Sequence, residues 1–147
     1  MAKFIYRMQN ILNIKEKLEE QARNEYAAQR AALNEAEEEE ERLKQEKSRY
    51  EEEGRRIRNS KLNLRDIEEN ANSIAILEGF IREQHKAVLK EEKKLEERRA
   101  ELEDAIKERK IQDKLKEHAF DEFKADLNRE EAKEIDQLTS YTYGSKK

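Results

Sequence analysis

Apolar residues recur along this chain at alternating steps of three and four, and no proline interrupts them over 147 residues. Proline breaks helix interiors, so its absence permits very long helices. The spacing demands them, because a stripe that repeats every 3.5 residues is a seam that one helix buries against another. Asp, Glu, Lys and Arg make up 46% of the chain. So many charges cannot be wrapped around a thick core, and a disordered acidic chain has no reason to hold a sustained period. The fold class is therefore all-α, a long two-stranded antiparallel coiled-coil hairpin with helix two extending beyond helix one.

The first stripe runs Met8, Ile11, Lys15, Leu18, Ala22, Tyr26, Gln29, Leu33, Ala36, Glu40, Leu43, Lys47, Tyr50, Gly54, Ile57. The two successive four-residue steps from Leu18 to Tyr26 form a stutter, which locally unwinds a left-handed supercoil. Helix one is placed at about 4–56 and a basic turn at about 57–63, with Gly54 marking the break. Asn63 is a good N-cap, Asp66 lies near the positive end of the next helix dipole, and Leu62 with Ile67 have hydrophobic-staple spacing. Helix two is placed at about 64–138.

Its stripe runs Ile67, Ala71, Ile74, Glu78, Ile81, His85, Val88, Glu92, Leu95, Arg99, Leu102, Ile106. The phase then slips, and Ile111, Leu115, Ala119, Phe123, Leu127 follow at four-residue steps, so a plain two-stranded seam is not expected to persist there. Residues 139–147 read as a frayed tail. Folding back near residue 60 puts Phe4 opposite Leu115 or Lys116. A parallel homodimer of long helices is the alternative, and Gly54 with the Asn63 cap favours the turn.

Catalysis finds little support. His85 and His118 are the only histidines, and neither follows a Glu by three residues as a bundle di-iron site requires. There is no Gly-rich phosphate loop, nucleophile elbow or metal-protease motif. Runs such as Glu37–Glu41 lack a turn that would converge their oxygens on a cation, and read as solvated helix faces. No catalytic residue, metal site or cofactor is expected. Without cysteine there is no disulfide framework, and a reducing compartment is permitted. Polar residues break the apolar N-terminal stretch before a signal-peptide core can form, and no apolar run reaches 18 residues, so the chain reads as soluble and unprocessed. A net charge of -4 gives no general attraction for nucleic acid.

Function must then reside in a surface or an end. Six of the nine aromatic residues fall at the expected base of the hairpin: Phe4, Tyr6, Phe120, Phe123, Tyr141 and Tyr143. They suit either a small local core or a surface that inserts into another protein. The N-terminal stretch of Phe4, Ile5, Met8, Ile11, Leu12 and Ile14 covers more than one helix face, and a peripheral membrane anchor is the weaker reading of it. Further along, Ile74, Ile76, Leu77, Phe80 and Ile81 supply two apolar faces where a seam needs one. Ile76 and Phe80 are expected to point away from helix one, with Tyr50 and Leu43 opposite, as a side-on docking site or as close packing near the turn. Arg55, Arg56, Arg58, Lys61 and Arg65 make a basic tip.

The run Phe4-Ile-Tyr6-Arg7-Met8-Gln9-Asn-Ile11-Leu12, with Ile14-Lys-Glu16 and the Ala- and Glu-rich helix after it, resembles the start of the flagellar export protein FliJ family. Lys114-Leu115-Lys116-Glu117 and Glu131, Glu134, Ile135, Asp136 agree more loosely. The resemblance implies a non-enzymatic cytoplasmic component of the bacterial flagellar type III export apparatus, peripheral to the inner membrane at the flagellar base and needed for motility. Such proteins look like the central stalk of rotary ATPases. They place their paired termini in the ring of the export ATPase, contact the cytoplasmic domain of the export gate and escort export chaperones. By this resemblance Phe4, Tyr6, Arg7, Met8, Ile11, Leu12, Phe120, Phe123 and Leu127 would meet the ATPase, and Leu43, Tyr50, Ile74, Leu77, Phe80, Ile81 and His85 the gate. A structural or tethering coiled coil with no ATPase partner is the competing reading.

Overall fold

A computed structural model describes residues 2–145. Two helices make up the fold, α1 (Gln9–Asn59, 51 residues) and α2 (Leu64–Ser145, 82 residues). They pack against each other as an all-α antiparallel coiled-coil hairpin, in which α2 is much the longer. The chain divides into two compact units, Ala22–Leu102 and a terminal unit made of Met1–Gln21 with Glu103–Lys147.

In the Ala22–Leu102 unit the turn is short, because α1 passes through Gly54 and ends at Asn59 rather than near 56. Gly54 is not a terminator. It is buried in the seam, where an added Cβ would lie 2.5 Å from Asn70 Oδ1, so its missing side chain is what lets the helices approach. Ser60 ends α1 by donating its hydroxyl to Ile57 O at 3.1 Å, and Arg56 and Arg58 sit at the negative end of the dipole. Asn63 caps α2, its Oδ1 accepting the Arg65 N–H at 3.1 Å while its carbonyl accepts the first helical bond from Ile67. The hydrophobic staple does not form, since Leu62 is 74% exposed.

Leu33, Leu43, Leu77 and Val88 are the buried apolar residues of this unit. The α1 seam of this unit follows the spacing read from sequence except at Tyr50, which is exposed. The α2 seam is offset by one residue at alternate positions: Asn70, Leu77, Gln84 and Glu91 turn inward, while Ala71, His85 and Glu92 are exposed. The inward amides reach across to main chain. Asn70 Nδ2 donates to Tyr50 O at 2.8 Å, Gln84 Nε2 to Ala36 O at 2.9 Å, and Gln29 Nε2 to Glu91 O at 3.2 Å. A helical carbonyl has a second lone pair free, so these bonds satisfy half-buried amides without breaking either helix. Apolar periodicity cannot register such contacts.

In the terminal unit α1 begins at Gln9, not near residue 4. Phe4 and Tyr6 are half-buried while Ile5 and Arg7 are exposed, the two-residue period of extended chain. No side chain among residues 4–8 caps a helix start there; Tyr6 O accepts a turn bond from Gln9 N at 3.2 Å, and Met8 O then accepts from Ile11 N at 3.0 Å and Leu12 N at 3.1 Å. The extended segment and the later turn together put Phe4 against Phe120 and Phe123, beyond the expected Leu115.

The seam here runs through Leu12, Lys15 and Glu19 on α1 and through Ala105, Arg109, Gln112, Lys116, Ala119 and Phe123 on α2. The expected stutter at Leu18 and the phase slip after Ile106 are therefore absent from the packing. Leu18 is 45% exposed and Ile111 57% exposed, whereas Leu12 is 2% exposed and Glu19 is buried. Charge pairing wins these positions. Arg109 bonds both Glu19 and Asp113, which holds its guanidinium charged by raising its pKa, and Lys15 Nζ meets Glu108 at 2.8 Å.

From Asn128 to Gly144 every residue is exposed, so this stretch of α2 has no partner helix. The stretch expected to fray continues α2 to Ser145, and Thr139 and Thr142 bond back to the carbonyls of Ile135 and Leu138 at 2.8 Å. Lys146 and Lys147 of that expected tail lie outside the described residues. No helix among the described residues is long and apolar enough to cross a membrane.

Candidate interaction surfaces

The terminal unit is built with its polar residues inside and much of its apolar surface outside. Leu12 is the buried apolar residue of its seam, and the positions around it are held by Lys15, Glu19, Arg109, Gln112 and Lys116. Ile5, Met8, Ile11, Ile14 and Leu18 of the N-terminal part are exposed, as are Ile111 and Leu115 of α2. Two buried polar atoms, Tyr6 Oη and Gln112 Oε1, have no hydrogen-bond partner among the described residues. An exposed apolar surface of this kind is a candidate interaction site.

The residues expected to meet an ATPase separate into two groups. Phe4 packs edge-on against Phe120 with ring centroids 5.2 Å apart and tilted against Phe123 at 5.5 Å, and Lys124 Nζ lies 5.4 Å from the Phe120 ring centre. The contacts of Phe4 with Phe120 and Phe123 fix the extended N-terminal segment; Tyr6 and Leu127 are half-buried, and Leu12 is buried in the seam. Arg7, Met8, Ile11 and Phe120 keep exposed surface. Tyr141 and Tyr143 do not join the aromatic cluster; both stand exposed on the unpartnered part of α2. Leu18, Ile14, Ile111 and Leu115 complete the apolar exterior. Apolar spacing places Leu18, Ile111 and Leu115 in seams, and the signal against that is the awkwardness of the spacing itself, which needs a stutter in one helix and a phase slip in the other.

In the Ala22–Leu102 unit, Leu43 and Leu77 are buried and Ile74 and Ile81 half-buried, so these residues hold the helices together. Phe80 is 57% exposed and Ile76 58%, one helical turn apart on α2, and they offer a small outward apolar face; Tyr50 is exposed as well. His85 lies off the seam, its Nδ1 3.3 Å from Glu40 Oε1. That carboxyl is held below its ordinary pKa chiefly by the hydrogen bond from Lys44, despite an opposing effect of burial. At the basic tip Arg56 pairs with Glu53 and Arg65 with Glu69, which leaves less free positive charge than the sequence suggests.

The sequence profile of the flagellar FliJ protein family matches residues 4–147. The chain belongs to that family. As a FliJ-family protein it is a helical coiled-coil component of flagellar protein export. Comparison with curated proteins and with solved structures gives no match.

Proposed function

We propose that this FliJ-family chain is a non-enzymatic, cytoplasmic, stalk-like coiled coil that enters the ring of the flagellar export ATPase with its terminal unit and regulates that enzyme. The observation that carries the reading is the inverted terminal unit, whose seam holds Glu19 and Arg109 while Ile11, Ile14, Leu18, Ile111 and Leu115 face outward. A surface of that kind suits the apolar lining of an enclosing ring. Regulation follows if the surface binds one state of the ring better than another, since a ligand shifts an equilibrium only by its differential affinity. Phe80 and Ile76 are the apolar face offered to the export gate, export chaperones are further partners, and membrane association is at most peripheral.

The test is to mix the chain with the export ATPase and follow hydrolysis and hexamer formation. Stimulation should be lost in Ile11→Glu/Leu18→Glu, which alters exposed positions and leaves helicity intact. Phe80→Glu should spare stimulation and weaken capture of the gate's cytoplasmic domain. No effect of the parent chain on hydrolysis or assembly would favour a passive tether, which should also tolerate whole-heptad insertions near Ala36 and Leu95.

A further inference from the structure

Three exposed apolar residues of the terminal unit stand one position before a seam residue, whereas Phe120 follows one, Ala119. Ile11 precedes Leu12, Leu18 precedes Glu19, and Leu115 precedes Lys116. The offset has the same sense on both helices. In an antiparallel pair, equal rotations about each helix's own axis are opposite rotations in space, so the two helices can roll against each other like meshed cogs. Such a roll keeps one row of the present seam on each helix and exchanges the other.

We propose that the terminal unit has a second seam, reached by a roll of about 50°, half the angle between successive helical residues. The rows of Lys15 on α1 and of Ala105, Gln112 and Ala119 on α2 stay inside. Leu12, Glu19, Arg109 and Lys116 leave, and Ile11, Leu18, Glu108 and Leu115 enter. Three charged residues and one leucine are exchanged for three apolar residues and one glutamate. That glutamate is already matched, since Lys15 lies 2.8 Å from Glu108. The unpartnered Oε1 of Gln112 shows that the present seam is incompletely satisfied.

The sequence holds the hinges that such a roll requires. Leu18, Ala22 and Tyr26 are spaced by fours on α1, and Leu115, Ala119 and Phe123 by fours on α2. A stutter at each place lets a helix carry the second row and rejoin the common one. The Glu19–Arg109 pair holds the present state, and the roll hides Ile11, Leu18 and Leu115 or displays them. Two discrete packings of one helix pair are a recognised form of switching element.

The absence of native cysteine makes the test direct. Leu12→Cys/Gln112→Cys reports the present seam, and Leu18→Cys/Ala105→Cys the second. Adding Glu19→Lys, which sets two cations together in the present seam and turns both outward in the second, should raise the rate of 18–105 cross-linking at least tenfold with helicity unchanged. Adding Leu115→Lys should return it to the parent rate. An unchanged rate after Glu19→Lys, a rate that stays high with Leu115→Lys, or cross-linking that accompanies loss of helicity would overturn the second seam. None of these measurements involves a partner protein, so their outcome is separate from that of the ATPase experiment.

Discussion

Asn70 occupies the space that Gly54 leaves empty, and its amide donates to Tyr50 O at 2.8 Å across the helix pair. A methyl at position 54 would stand 2.5 Å from Asn70 Oδ1, so the glycine and the asparagine are one packing unit. Alanine is the better helix former by about 0.8–1 kcal/mol. In the parent chain that gain is offset by displacing Asn70 and weakening its bond, a loss of about 0.5–1.5 kcal/mol. Gly54→Ala should therefore fall within about 0.5 kcal/mol of the parent in urea unfolding, yet stabilise an Asn70→Ala background by about 1 kcal/mol. Equal effects in the two backgrounds would show that the residues are not coupled.

The terminal unit distinguishes neighbouring leucines. Leu12→Ala removes its buried apolar side chain and should cost about 2–3 kcal/mol, whereas Leu18→Ala, at an exposed position, should stay within about 0.5 kcal/mol. Chemical denaturation followed by circular dichroism measures both. The reverse order would mean that the seam runs through Leu18.

Gln84 reaches the main chain at Ala36, whose carbonyl stays bonded within its own helix. Gln84→Leu therefore leaves no orphaned group and adds apolar contact. Its thermal midpoint should rise by a few degrees, of the order expected for about 1 kcal/mol. The lost polar contact also relaxes register and partner choice, so sedimentation velocity should resolve more than one species where the parent gives one.

Acid should weaken the Ala22–Leu102 unit through Glu40. Its carboxyl is held below the ordinary value of about 4.5 by Lys44 first, then by His85, against an opposing effect of burial. Between the depressed and the ordinary value the unfolded chain binds more protons, so stability rises with pH in that window and falls as acid is added. The thermal midpoint should drop below pH 4.5 more steeply in the parent than in Lys44→Met/His85→Ala, which lacks both partners. Parallel curves would assign the acid response to other carboxylates.

The all-helical pairing was legible because a 3.5-residue period and the absence of proline leave a chain few alternatives, and the Asn63 cap has a local chemical signature. The inward row of α2 was not. Asn70, Gln84 and Glu91 are polar, and their suitability lies in bonds to the opposite helix, which no apolar count detects. The same holds at Glu19, where a cross-helix guanidinium outweighs the neighbouring leucine. The extended start was written in the half-buried Phe4 and Tyr6, two residues apart, but a period of two over three residues is too short to stand out against a helix. The candidate docking surface is partly hidden for the same reason, since apolar spacing puts Leu18 and Leu115 in the seam that they border.

The three cross-helix amides address main-chain oxygens at Tyr50, Ala36 and Glu91. Every residue type offers the same oxygen, so these bonds do not depend on the side chain at Tyr50 or Ala36, while at Glu91 the carboxylate accepts from Gln29 as well. Pairing anchored on main-chain oxygens in this way leaves the outward charges of the coil outside the contacts by which the two strands recognise each other.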